Sequence, residues 1–114
     1  MSNLSRNMTD KLFYRLWQDA LDQPDKDMYI GEYGYPDWFD EISDDAAEVL
    51  HTLETIHDVA HMSFRDIISR TGISQAKFAI KFCIPIRTVE QWARGERKCA
   101  DYLRLLFCRQ LGFI

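Results

Sequence analysis

Nine residues, Ile86-Arg87-Thr88-Val89-Glu90-Gln91-Trp92-Ala93-Arg94, gather long hydrogen-bonding side chains at a spacing that could read another molecule. Taken as a helix at about 100° per residue, Arg87, Glu90, Gln91 and Arg94 fall within one stripe, while Val89, Trp92 and Ala93 point to the other side. An Arg fork matches the two acceptors of guanine, a Gln amide matches the donor and acceptor of adenine, and a Glu accepts from the amino group of cytosine. A row of this kind fits a major groove, where such side chains can meet base edges.

Other constellations could carry different chemistry. Glu54, His57 and His61 are spaced i, i+3, i+7 on one helical face, with His51 nearby, and His57-Asp58-Val59-Ala60-His61 echoes a zincin helix. The carboxylate beside the first His is the shorter Asp58, and no candidate third histidine follows. His57 also lies four residues after Leu53 on an apolar stripe, where a buried imidazole with a hydrogen-bond partner is the simpler expectation. No metal site is expected. Ser63, Ser69 and Ser74 sit at cap or helix positions, and neither a Gly-x-Ser-x-Gly elbow nor a Gly-rich phosphate loop occurs, so no catalytic residue, no cofactor and no enzymatic activity are expected.

The elements that must position the stripe are legible. Ser74 is a good N-cap, and Ile73 before it is placed to staple onto Phe78. Phe78, Ala79 and Phe82 share a face, with Ala79 small enough for close approach of a second helix. Cys83-Ile84-Pro85 breaks the pattern, and Pro85, lacking a backbone donor, suits the first turn of the helix that follows. Short helices are expected at about 63–70, 74–82, 86–94 and 101–111, ended by Gly72, Gly95 and Gly112 where glycines stand. Two short helices joined by a tight turn, the second polar on its outer side, form a helix-turn-helix unit.

Upstream, Leu12, Phe13, Leu16, Trp17, Ala20 and Leu21 mark an amphipathic helix from Thr9 to Leu21, stopped by Pro24. The stretch from Asp27 to Glu41 reads as loop, with an extended piece at Met28–Ile30; Tyr29, Tyr33, Tyr35, Trp38 and Phe39 either cap the core or form a partner-binding patch. A helix then starts at Ser43 as cap, with Asp44 and Asp45 at its positive end, buries Ala46, Val49, Leu50, Leu53, Ile56 and Ala60, and runs to about Met62.

With 114 residues, 46 % apolar and 13 % aromatic, the chain has material for one packed domain of two subregions. Its net charge of −4 is uneven. Residues 1–60 hold Arg6, Lys11, Arg15 and Lys26 against fourteen carboxylates, whereas residues 61–114 hold ten cations against Asp66, Glu90, Glu96 and Asp101. A basic half beside an acidic half suggests a polyanion-binding face, although a charge run is also what any solvated face shows. No apolar run could span a membrane, and Arg6, Asp10, Lys11 and Arg15 interrupt any secretion signal, so a cytoplasmic protein is expected. Cys83, Cys99 and Cys108 lack Cys-x-x-Cys spacing and read as small core hydrophobes.

The run SQAKFAIKFCIPIRTVEQWARGERK resembles the helix-turn-helix signature of the phage-repressor-like, Xre-type transcription regulators: Ser-Gln opening the first helix, Ala79 at the close-packing site, an apolar Ile84, Thr88-Val89 in the second helix, then Gly95 and a basic tail. The resemblance covers about residues 62–111. It implies that Gln75 touches a phosphate, that Ile86, Arg87, Glu90 and Gln91, with Thr88 among them, face base edges, and that Arg94, Arg97 and Lys98 grip the backbone. Three positions depart from the pattern. Cys83 stands where the family usually has Gly, so a somewhat altered turn is expected; Ala93 replaces a frequent Glu and Cys99 a frequent Pro. Glu90 would be repelled by phosphates unless it meets a cytosine or pairs with Arg94, its i+4 neighbour.

The expected fold is all-α, a phage-repressor-like helix-turn-helix bundle at 62–114 with an acidic helical extension at 1–61. The expected function is sequence-specific DNA-binding regulation, by repression, with double-stranded DNA as partner. In the last helix Leu103, Leu106, Phe107 and Leu111, flanked by Tyr102 and Leu105, make a wide apolar surface that serves either a homodimer or burial beneath the N-terminal helices. The alternative is an interaction protein, an antitoxin or phage-encoded inhibitor, whose acidic half binds a protein partner while the helix-turn-helix regulates its own gene.

Overall fold

The computed structural model of the chain describes residues 4–33 and 45–114. Among them every regular element is a helix, and no strand occurs. The helices fall into two units, Met1–His61 together with Ile114, and Met62–Phe113.

In the first unit α1 (Leu4–Asn7) is a single turn and α2 spans Asp10–Asp22. Thr9 caps α2, its Oγ1 accepting from the Leu12 amide at 3.2 Å, and Phe13, Leu16, Trp17 and Ala20 form the buried line that the i, i+3, i+4 spacing implies. The extended piece expected at Met28–Ile30 is instead the middle of α3 (Lys26–Tyr33). Local signals mislead here because Gly31 and the aromatics suggest loop, whereas Asp25 caps the Met28 amide and Tyr29 anchors the helix from within. Tyr29 is fully buried, and its hydroxyl donates to the Leu16 carbonyl at 2.9 Å.

The fourth helix, α4 (Ala46–Ala60), packs on α1, α2 and α3. Its cap is Asp45, whose carboxylate accepts from the Ala47 and Glu48 amides; Ser43 and Asp44, like Tyr35, Trp38 and Phe39 of the aromatic stretch, lie outside the described residues. The buried face is rotated from the expected one. Ala46 and Leu50 are exposed, while Thr52 and Val59 join Val49, Leu53, Ile56 and Ala60 inside. Thr52 is admitted because its hydroxyl donates to the Glu48 carbonyl, which removes the cost of burying it. The helix ends at Ala60, just short of Met62.

His57 and His61 serve structure. The Nε2–H of His57 donates to the Gln23 carbonyl at 2.7 Å and that of His61 to the Ala20 carbonyl at 2.6 Å, so both tie α4 to the carbonyl end of α2, where helical acceptors lack partners of their own. Among the described residues no three or more His, Cys, Asp and Glu side chains come together as a metal ion would need.

The second unit contains α5 (Phe64–Thr71), α6 (Gln75–Phe82), α7 (Ile86–Arg94) and α8 (Asp101–Leu111). Ser63 and Ser74 cap α5 and α6 through the Asp66 and Lys77 amides, each at 3.1 Å, and Gly72, Gly95 and Gly112 end α5, α7 and α8 in the left-handed conformation. The core is aromatic. Phe78 lies edge-on to Phe64 (5.4 Å between centroids) and Phe107 (5.2 Å), Phe82 meets Phe107 at 4.8 Å, and Trp92 meets Phe64 at 5.2 Å, all geometries that ring quadrupoles favour.

Two readings of the second unit change. Cys99 and Cys108 are buried, their thiols pushed up to about 11 by burial, but Cys83 is exposed and is no core residue. In α8 the buried line is Arg104, Phe107 and Cys108, with Leu103, Leu105 and Leu111 half-buried, while Tyr102 and Leu106 stay 66 % and 58 % exposed. Arg104 turns inward because its guanidinium donates to the Met62 carbonyl and to the Asp101 carboxylate, which offsets the cost of removing the charge from water.

Candidate nucleic-acid interface

The α6–α7 pair is built from both ends. Ser74 holds the start of α6, and Phe78 and Ala79 bury its inner face. At its other end the Ile84 amide donates to the Ala79 carbonyl (2.9 Å) and the Cys83 amide to the Ile80 carbonyl (3.3 Å), the paired bonds of a Schellman stop. Cys83 takes the left-handed angles that this stop demands, φ 56° and ψ 44°, and is the one non-glycine residue with positive φ among the described residues. The backbone at this turn is left-handed although the residue carries a side chain, and the cysteine bears the strain. α7 begins at Ile86, as the sequence implies, and Pro85 is its N-cap, whose carbonyl accepts from the Thr88 and Val89 amides.

α7 is held by its inner side. Val89 is 0 % exposed, and Trp92 is half-buried against Phe64. Nine residues at about 1.5 Å each make a rod of about 13 Å, short enough to enter a groove end-on or lie along a few base pairs. On its outer side Arg87 and Arg94 are exposed and Ile86 is 44 % exposed, while Thr88, Glu90 and Gln91 are half-buried. Arg97 and Lys98 follow on the turn after Gly95, and Gln75, exposed, is the first residue of α6, where backbone amides lack acceptors in the helix itself. The structure thus brings Arg87, Glu90, Gln91 and Arg94 onto one helix with Arg97 beside them: Arg97 Nη1 stands 3.5 Å from the Gln91 amide oxygen.

The charges pair differently from what i+4 spacing suggests. Arg94 turns to Glu96, with Nε 3.0 Å from Oε1 and a terminal nitrogen 3.4 Å from Oε2, and not to Glu90. Glu90, Arg87 and Lys98 have no side-chain hydrogen bond or ion pair among the described residues, so each is available to an outside partner. Glu96 is the residue that sequence reading passed over. Its only signal is its position, one step beyond the glycine that ends α7, where the chain reverses and brings it back toward Arg94.

Chemically, this surface can donate and accept hydrogen bonds and carry positive charge, with Lys77, Lys81, Arg87, Arg94, Arg97 and Lys98 all exposed. The Ser63 and Ser74 hydroxyls are engaged as caps. No helix among the described residues is long and apolar enough to cross a membrane. No protein-family model, no curated protein and no solved structure matches the chain.

Proposed function

We propose that residues 62–114 form a phage-repressor-like, Xre-type helix-turn-helix and that the protein is a sequence-specific DNA-binding regulator, a repressor that occupies its operator. The observation that carries this reading is α7 itself: anchored through fully buried Val89 and through Trp92, it presents Arg87 exposed and without a partner beside Glu90 and Gln91. In this reading Arg87, Glu90 and Gln91, with Ile86 and Thr88, meet base edges, and Gln75, Arg94, Arg97 and Lys98 hold phosphates. A single rod of nine residues covers few base pairs, which favours two copies on a two-fold operator, with exposed Tyr102 and Leu106 of α8 available for their contact. The protein is proposed to act by binding alone, without catalysis, metal or cofactor.

Selection of sites from a random duplex pool at two salt concentrations tests this reading. Recovery of one preferred sequence supports it, a palindrome adds the dimer, and a pool that stays random at both concentrations refutes sequence-specific binding.

The second reading, a module whose acidic half binds a basic protein surface, draws on the exposed carboxylates Asp22, Asp27 and Glu32. Removing residues 1–42 would be a poor test, because Phe13, Leu16, Trp17 and Ala20 belong to the core that α4 completes. Neutralising the surface with Asp22→Asn, Asp27→Asn and Glu32→Gln keeps the core: loss of a captured protein partner with unchanged DNA binding favours the second reading.

A further inference from the structure

We infer that Glu96 is a built-in counter-charge that restrains the grip of Arg94 on the phosphate backbone, lowering affinity for all duplexes alike; the inference rests on the DNA-binding reading above. The geometry that supports it begins in the backbone. Gly95 ends α7 at φ 78°, the Glu96 amide donates to the Gln91 carbonyl at 2.9 Å, and the Gly95 amide donates to the Trp92 carbonyl at 3.2 Å. These paired bonds form a Schellman stop, which fixes the residue after the glycine relative to the last turn of the helix. Glu96 is therefore held where both its carboxylate oxygens meet the Arg94 guanidinium, at 3.0 and 3.4 Å.

The pair is 57 % and 54 % exposed at its two side chains, and exposed ion pairs are weak, so a phosphate can draw Arg94 away. The carboxylate cannot leave with it. Once Arg94 is on the backbone, Glu96 stays tethered one residue beyond Gly95, close to the same phosphate, and opposes the contact through charge repulsion. This opposition reads no base: it acts on the charge that every duplex carries. The sequence-reading side chains Arg87 and Gln91 lie earlier on α7 and are untouched by it.

One phosphate contact changes the logarithm of affinity by about 0.9 for each tenfold change in salt, so freeing one in full is worth roughly eightfold at about 0.1 M salt, relative to about 1 M. Glu96→Gln in the full chain keeps the backbone stop, removes the charge, and is expected to tighten both the selected site and a scrambled duplex about three- to eightfold at about 0.1 M salt, with the gain vanishing near about 1 M. In an Arg94→Ala background the same substitution is expected to gain less than twofold. Unchanged or weakened binding by Glu96→Gln overturns the inference while leaving the DNA reading intact, provided Arg87→Ala still loses the selected site. Tightening confined to the selected site also overturns it, because Glu96 would then touch a base. A parent chain that binds no duplex overturns both.

Discussion

Replacing Cys83 by glycine is expected to stabilise the protein. Cys83 ends α6 at φ 56°, ψ 44°, and the left-handed region costs an L-residue about 1–2 kcal/mol that glycine escapes. Glycine returns about 0.5–1 kcal/mol of this through its greater freedom in the unfolded chain. The thiol is exposed, so little burial is lost. The net expectation is a gain of about 0.5–1 kcal/mol.

Gly95 provides the mirror experiment. It ends α7 with the same paired bonds at φ 78°, and a Cβ built there meets nothing within 4 Å, so Gly95→Ala should lose about 0.5–1 kcal/mol through backbone strain alone. Cys83→Ala keeps a Cβ in the strained region and should change stability by less than about 0.5 kcal/mol, which separates backbone from thiol. In urea, with a slope of about 1 kcal/mol per molar, the two glycine-site variants should shift the midpoint by about 0.5–1 M in opposite directions. A lower midpoint for Cys83→Gly, or none of the expected loss for Gly95→Ala, would refute the claim that left-handed strain governs these turns.

Arg87→Ala should cost about 1–3 kcal/mol on the preferred duplex and relax preference at one position, as measured by repeating site selection with the variant. Lys98→Ala should weaken all duplexes similarly and reduce the salt slope by about 1, read from binding titrations across salt. Phe78→Ala, which empties a fully buried site between Phe64, Phe82 and Phe107, should cost about 3–5 kcal/mol, visible as loss of cooperative melting of α5–α8 by near-ultraviolet circular dichroism. Tyr29→Phe removes one buried hydrogen bond and should cost about 1 kcal/mol near neutrality. It should also flatten the alkaline limb: burial raises the Tyr29 phenol above its usual value of 10.0, so the unfolded chain releases this proton first, and the stability present below pH 10 is lost as pH rises beyond it in the parent only. Urea titrations of both proteins at about pH 8 and about pH 11 would show the difference.

The second half of the chain was the more legible in sequence. Ser63 and Ser74 cap their helices, Gly72, Gly95 and Gly112 stop theirs, and α6 and α7 lie within a residue or two of their expected bounds. These signals are local, since a cap bonds an amide three residues away and a stop bonds carbonyls within the last turn. Where a helix depended on something distant, reading failed. α3 contains Gly31, and its residues read as loop with a short extended piece at Met28–Ile30, but Tyr29 reaches thirteen residues back to the Leu16 carbonyl. Leu50 on α4 is 43 % exposed and Thr52 is buried, because the partners of α4 choose which side of a broad apolar band faces in.

The candidate surface divides along the same line. Spacing alone puts Arg87, Glu90, Gln91 and Arg94 on one side of α7 and Val89 and Trp92 on the other, because 100° per residue is a property of any helix. The choice of Glu96 over Glu90 as the partner of Arg94 belongs to the folded chain, and so does the left-handed cysteine at the turn. Periodicity states which side chains share a face; only the three-dimensional closure of a turn states which charges meet across it, because that distance is set by backbone angles that neighbouring elements impose.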